Sequence, residues 1–123
     1  MVIVVHWEDA PSKLMAEIMP EQGPNHWTMY VYIYPGHRLF ARMEEVESGA
    51  SYGEATDSFP FHGGCTYFER SYDSAGNLRH AQVGCDYQHY RDERFSHYHT
   101  KEEAAEVFSD ADDLLAYCEG TEP

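Results

Sequence analysis

Basic residues are scarce in this chain. Its 123 residues hold 8 Lys and Arg against 22 Asp and Glu, a net charge of −14. Such a surface repels nucleic acid and anionic membranes, so direct binding to DNA or RNA is not expected. Basic protein surfaces are attracted instead. A large net charge also keeps a small protein soluble, and that simpler reading stands beside the first. Long apolar runs are missing too. Nothing approaches the roughly 18 residues of a membrane span, so no membrane is expected as a partner. Val2 to Val5 is short, precedes Trp7-Glu8-Asp9 and lacks a basic leader, which makes it a strand and not a signal peptide. Cysteine is confined to Cys65, Cys85 and Cys118. An odd count without a C-x-x-C pair excludes an all-cysteine zinc site and points to reduced thiols in a cytoplasm. No Gly-rich phosphate loop, nucleophile elbow, Ser-His-Asp order or internal repeat is visible.

Aromatic residues are plentiful. Ten Tyr, six Phe and two Trp make up 15% of the chain. Tyrosine is partly polar, so the excess belongs either in half-exposed or interface positions or simply in strands, which favour it. The apolar fraction of 42% suits one globular domain spanning 1–123. Val2 to Val5 and the alternating Trp27 to Tyr34 read as strands. Pro11 to Met19 reads as a short helix ended by Pro20, and Arg38 to Glu47 as a short helix or strand. Ser48 to Pro60 reads as an irregular loop. Thr66 to Tyr72 and Leu78 to Tyr87 form a hairpin around the turn Asp73-Ser74-Ala75-Gly76-Asn77. Thr100 and Glu103 form a capping box, followed by Ala104, Val107, Phe108, Ala111, Leu114, Leu115 and Cys118 at helical spacing, with Gly120 as the stop. The pattern predicts a single α+β domain, a mainly antiparallel sheet with the C-terminal helix packed on it.

The densest chemistry lies between Phe61 and Asp92. His62-Gly63-Gly64-Cys65-Thr66-Tyr67 precedes the hairpin, and Gly84-Cys85-Asp86-Tyr87-Gln88-His89-Tyr90-Arg91-Asp92 closes it. Folding the hairpin brings Cys65 near Cys85, and His62 near Asp86, His89 and Asp92. Imidazole, carboxylate and thiolate are the ligands zinc prefers, so a zinc site is expected from His62, Asp86, His89 and Asp92, with Cys85 and Cys65 as alternative ligands. Each residue also has a plainer use. His62 could cap a turn, the two Asp could accept loop amides, and the two Cys could be small buried strand residues.

The pattern His-Gly-Gly-x-Thr-Tyr followed by Gly-x-Asp-Tyr-x-His-x-x-Asp resembles that of small proteins encoded in bacteriophage genomes. Those often carry a Pro-Gly-His segment upstream, as Pro35-Gly36-His37 does here. The resemblance covers roughly Tyr32 to Asp92. It implies that His62, Asp86, His89 and Asp92 belong to one motif, and it implies a phage or mobile-element origin, hence the cytoplasm of a host cell. This chain departs from the pattern at Cys65, where a larger apolar residue is usual, and in its longer hairpin. No reaction comes with the resemblance.

Two functions fit these features. An acidic, Tyr-rich, phage-type protein suits a counter-defence inhibitor of the anti-CRISPR kind, one that occupies the basic nucleic-acid channel of a host nuclease. Between Lys101 and Pro123 one basic residue faces eight acidic ones, half of the net charge. Glu102, Glu106, Asp110 and Asp113 form a stripe of carboxylates about 5 to 6 Å apart along the helix, near the spacing of phosphates on a strand. The same stripe would also serve as an ordinary solvated face. The alternative is a metal-dependent hydrolase of a nucleotide or similar phosphate ester, with His62, Asp86 and His89 on the metal and Asp92 or Glu69 as base. The negative charge argues against phosphate substrates and no complete catalytic set is visible. A structural metal stapling one end of the sheet is therefore preferred.

Overall fold

Alternation sets the two faces of the sheet. In His26–Ile33, Trp27, Met29, Val31 and Ile33 are buried while Tyr30 and Tyr32 between them are half-buried. The computed structural model of the chain describes residues 1–8, 26–45, 58–87, 95, 97–98 and 100–120. Within them run β1 (Val2–Glu8), β2 (His26–Ile33), α1 (Phe40–Glu45), β3 (Tyr67–Tyr72), β4 (Leu78–Asp86) and α2 (Ala105–Glu119). The expected strands and C-terminal helix are all present. The segment after Arg38 resolves into the helix α1. The expected helix at Pro11 to Met19, and most of the expected loop from Ser48 to Pro60, lie outside the described residues.

The four strands form one antiparallel sheet in the order β1-β2-β4-β3. Directly opposed residues share a face. On the core face Ile3, Val31, Val83 and Phe68 fall in one row, and Val5, Met29 and Cys85 in the next. Burying this face takes branched aliphatic and sulfur side chains out of water at about 25 cal/mol per Å² of apolar surface, and it is the main stabilising contribution. Asp73 organises the β3–β4 turn. Its carboxylate accepts the amides of Ala75 and Asn77, each at 2.9 Å.

Helix α2 packs on this sheet through Val107, Leu114, Tyr117 and Cys118 and lies toward β1. The Phe108 ring meets Trp27 edge-on at 5.8 Å. The expected capping box forms only in part, and one turn before the α-helix proper. The Glu103 amide donates to the Thr100 hydroxyl at 3.1 Å, and that hydroxyl donates to the Glu103 carboxylate at 3.2 Å. Regular helix begins at Ala105. Leu115, expected in the core, is 39% exposed, whereas Tyr117 is buried with its ring against Phe59 at 4.9 Å. The face centred on Val107 and Leu114 continues through Cys118, and Leu115 lies about 100° round the axis from Leu114.

Two of the arginines hold helix ends. The Arg38 Nε donates to the Cys118 carbonyl at 3.1 Å and its Nη2 donates to the Tyr117 carbonyl, closing the C-terminus of α2. The guanidinium also sits over the Tyr117 ring, 5.5 Å from its centroid. Arg42 Nη1 donates to the Tyr117 hydroxyl at 2.6 Å and to Ser58 at 3.2 Å. Arg70 Nη1 reaches the Glu44 carbonyl, at the end of α1, at 3.3 Å. Helix C-termini present unpaired carbonyls and negative potential, so cations gain most there.

Candidate functional site

His62 enters from a tight turn at the C-terminal end of β4. Gly63 and Gly64 both hold positive φ, 71° and 88°, which residues with a Cβ rarely adopt. The Gly64 amide donates to the Phe61 carbonyl at 3.0 Å, folding the chain back so that the Thr66 amide bonds the Gly84 carbonyl at 2.9 Å and starts β3.

This turn sets the His62 ring against the aromatic end of the core. It stacks on Tyr87 with centroids 4.6 Å apart and planes at 14°, and it meets Phe95 edge-on at 5.3 Å. Tyr87 and Phe95 are 1% exposed. Tyr87 continues the β4 ladder, its amide donating to the Trp27 carbonyl at 2.9 Å. Its hydroxyl donates to the Asp110 carboxylate at 2.6 Å, which ties the end of the sheet to α2. A buried phenol needs such a partner.

Cys85 is buried one residue before Asp86, and its thiol lies within hydrogen-bond reach of the His62 amide. Burial pushes the thiol from its ordinary 9.0 up to about 12 against the help of that amide, and the carboxylates of Asp86 and Asp110 add to the rise. Without a bound cation Cys85 is a neutral, unreactive thiol. Cys65 is half-buried and its thiol donates to the Tyr67 carbonyl at 3.2 Å. Neither cysteine is in a disulfide.

The expected zinc ligands are therefore distributed as follows. His62 comes together with Cys85 and Tyr87. Asp86 opposes Thr28, and strand alternation puts it on the other face of the sheet from Cys85. His89 and Asp92 lie outside the described residues. Among the described residues, no group of three His, Cys, Asp or Glu is arranged to hold a metal. Glu69, the other candidate base, lies on β3 and accepts the hydroxyl of Tyr67.

The acidic stripe is divided. Glu102, Glu106 and Asp113 are exposed, whereas Asp110 is half-buried beneath the Tyr87 hydroxyl. Three of its four members lie on the outer surface and one belongs to the sheet–helix junction. Sequence reasoning assigned no role to Tyr87 or Phe95. The signal for Tyr87 was parity, since it falls two residues after Cys85 and four after Val83 on the core face. No protein-family model, curated protein or solved structure matches the chain.

Proposed function

We propose that this chain works by binding a basic protein surface, and that the exposed carboxylates Glu102, Glu106 and Asp113 form part of the contact. The observation that carries this reading is the excess of acidic over basic residues, with Glu102, Glu106 and Asp113 exposed. Arg38, Arg42 and Arg70 are hydrogen-bonded to carbonyls at helix ends or to a phenol, and Lys101 lies over the Phe108 ring at 5.4 Å. The net charge of −14 already counts all eight Lys and Arg, so an excess of carboxylates is what an approaching partner meets. Among the described residues no helix is long and apolar enough to cross a membrane.

Resemblance to phage-encoded proteins supports a more specific form of the reading. The partner is then a host defence nuclease of the CRISPR type, whose nucleic-acid channel this protein occupies. A zinc ion at the His62 end of the sheet, if His89 and Asp92 complete the ligand set, has a structural role in this scheme.

The test is inhibition of CRISPR effector nucleases by the wild-type chain and by Glu102→Lys/Glu106→Lys/Asp113→Lys. Asp110 is left intact because its carboxylate supports Tyr87. The triple reversal should weaken inhibition at least tenfold while leaving the thermal midpoint within a few degrees, since exposed changes cost little stability. Equal inhibition by both chains would reduce the acidic face to a solvated surface.

A further inference from the structure

The second face of the sheet carries an organised aromatic surface. Register places Val4, Tyr30, Gly84 and Tyr67 in one row across the four strands, and Val2, Tyr32, Gln82 and Glu69 in the next. Successive rows are about 6.8 Å apart. The Tyr30 and Tyr67 rings meet edge-to-face at 5.2 Å. Gly84 is what allows this. A Cβ there would lie 2.3 Å from Cδ1 of Tyr30 and 2.5 Å from the Met29 carbonyl. Further along, His80 sits between Tyr32 and Tyr34, with centroids at 5.8 and 5.5 Å. Tyr34 is 39% exposed, and Tyr32 and Tyr67 are half-buried. Glu69 lies beside Tyr67 and accepts its hydroxyl. None of the paired positions on this face in the described strands is Lys or Arg.

We infer that this tyrosine face is a docking surface for an arginine-rich segment of the protein partner. The inference rests on the proposal above that the partner is basic, and it names the chemistry of the contact. Three occupants suit an aromatic sheet face. Single-stranded nucleic acid would stack its bases on the rings, but it needs cations for its phosphates, and the described paired positions of this face supply none while including Glu69. A second copy of the chain would bring −14 against −14. An arginine-rich segment satisfies both features. Guanidinium planes stack on tyrosine faces, and Glu69 offers a carboxylate for their donors. Lysine gains less, because its ammonium is more strongly hydrated and is not planar.

The probes are hexa-arginine, hexa-lysine and a short oligothymidine, titrated into the full chain at low salt by calorimetry, with amide shifts read by NMR. Hexa-arginine should bind several-fold more tightly than hexa-lysine and shift residues of β2, β3 and β4 on the tyrosine face. Tyr32→Leu/Tyr67→Leu should lower the hexa-arginine affinity about tenfold while leaving hexa-lysine binding almost unchanged. Tyr34→Leu, at an exposed position, serves in place of that pair should the double variant lose its cooperative unfolding. Equal affinity for both peptides, or shifts confined to the acidic face of α2, would overturn the tyrosine face while leaving the basic-partner reading standing. No binding of either peptide would overturn both. Binding of the oligothymidine in preference to hexa-arginine would make the face a nucleic-acid platform and defeat the inference.

Discussion

Adjacent residues of β4 live in different environments. Val83 is fully buried, opposite Val31 and Phe68, whereas Gln82 is half-exposed, between Tyr32 and Glu69. The same strand thus has one face held by exclusion of water and one face built of rings, amides and carboxylates that remain in contact with it. A small acidic protein needs the first face to fold. The second carries the proposed docking site, where tyrosines would supply contact area at low entropic cost.

Substitution at those two positions gives the widest separation. Val83→Asp puts an unpaired carboxylate into the core and should cost about 4 kcal/mol or more, enough to lower the thermal midpoint by more than about 10 °C in a domain of this size. Gln82→Thr should stay within about 0.5 kcal/mol, and it is the smallest effect expected here. Similar losses at both positions, measured by urea denaturation, would erase the distinction between the faces.

Gly84 lies on the open face yet should behave like a core position. Gly84→Ala drives its Cβ into the Met29 carbonyl and the Tyr30 ring, and a backbone oxygen cannot move aside cheaply. A loss of roughly 1–3 kcal/mol is expected, with a change in the tyrosine near-UV signal. An unchanged midpoint would mean that the rings are not held over Gly84.

Tyr87→Phe tests the junction of sheet and helix. It removes the hydrogen bond to Asp110 and should cost about 1.5–3 kcal/mol by urea denaturation, the range for bonds to charged groups. Glu106→Gln, on the exposed side of the same helix, should cost far less.

Alkaline pH should act on both faces at once. The folded chain keeps the Cys85 proton up to about 12, while the unfolded chain releases it near 9.0. Tyr67, held chiefly by the bond its hydroxyl donates to Glu69, moves from 10.0 to about 12. In that window the native state binds more protons than the unfolded state, so stability is intact below pH 9 and falls as pH rises above it. Cys85→Ala should flatten the first part of that decline, and Tyr67→Phe the part above pH 10. Stability constant from pH 8 to 11 would contradict both assignments.

Much of this architecture was legible from periodicity. Alternation in Trp27 to Tyr34, the Asp73 to Asn77 turn, and the helical spacing from Ala104 to Cys118 each report a local rule that the tertiary structure obeys. The partner of Asp110 was not legible, because it depends on where the end of β4 meets α2, a relation between distant segments. Asp86 shows the same limit in another form. Its distance in sequence from His62 is bridged by the hairpin, but alternation along β4 directs Cys85 and Asp86 to opposite faces, and which of the two meets His62 is set by how the His62 turn folds back onto the strand. Leu115 and Tyr117 differ by two residues on a helix, and Tyr117 is the buried one because Arg38 and Phe59, distant in sequence, pack against it.

Competition with DNA tests the central claim most directly. A labelled duplex bound to a CRISPR effector nuclease is titrated with this chain, and displacement is followed by fluorescence anisotropy at several salt concentrations. Binding to the basic channel predicts competitive displacement, with the apparent Kd for DNA rising in proportion to added chain, and weaker competition as salt is raised. Duplex that stays bound at every concentration and salt, across effectors of different types, would contradict the account.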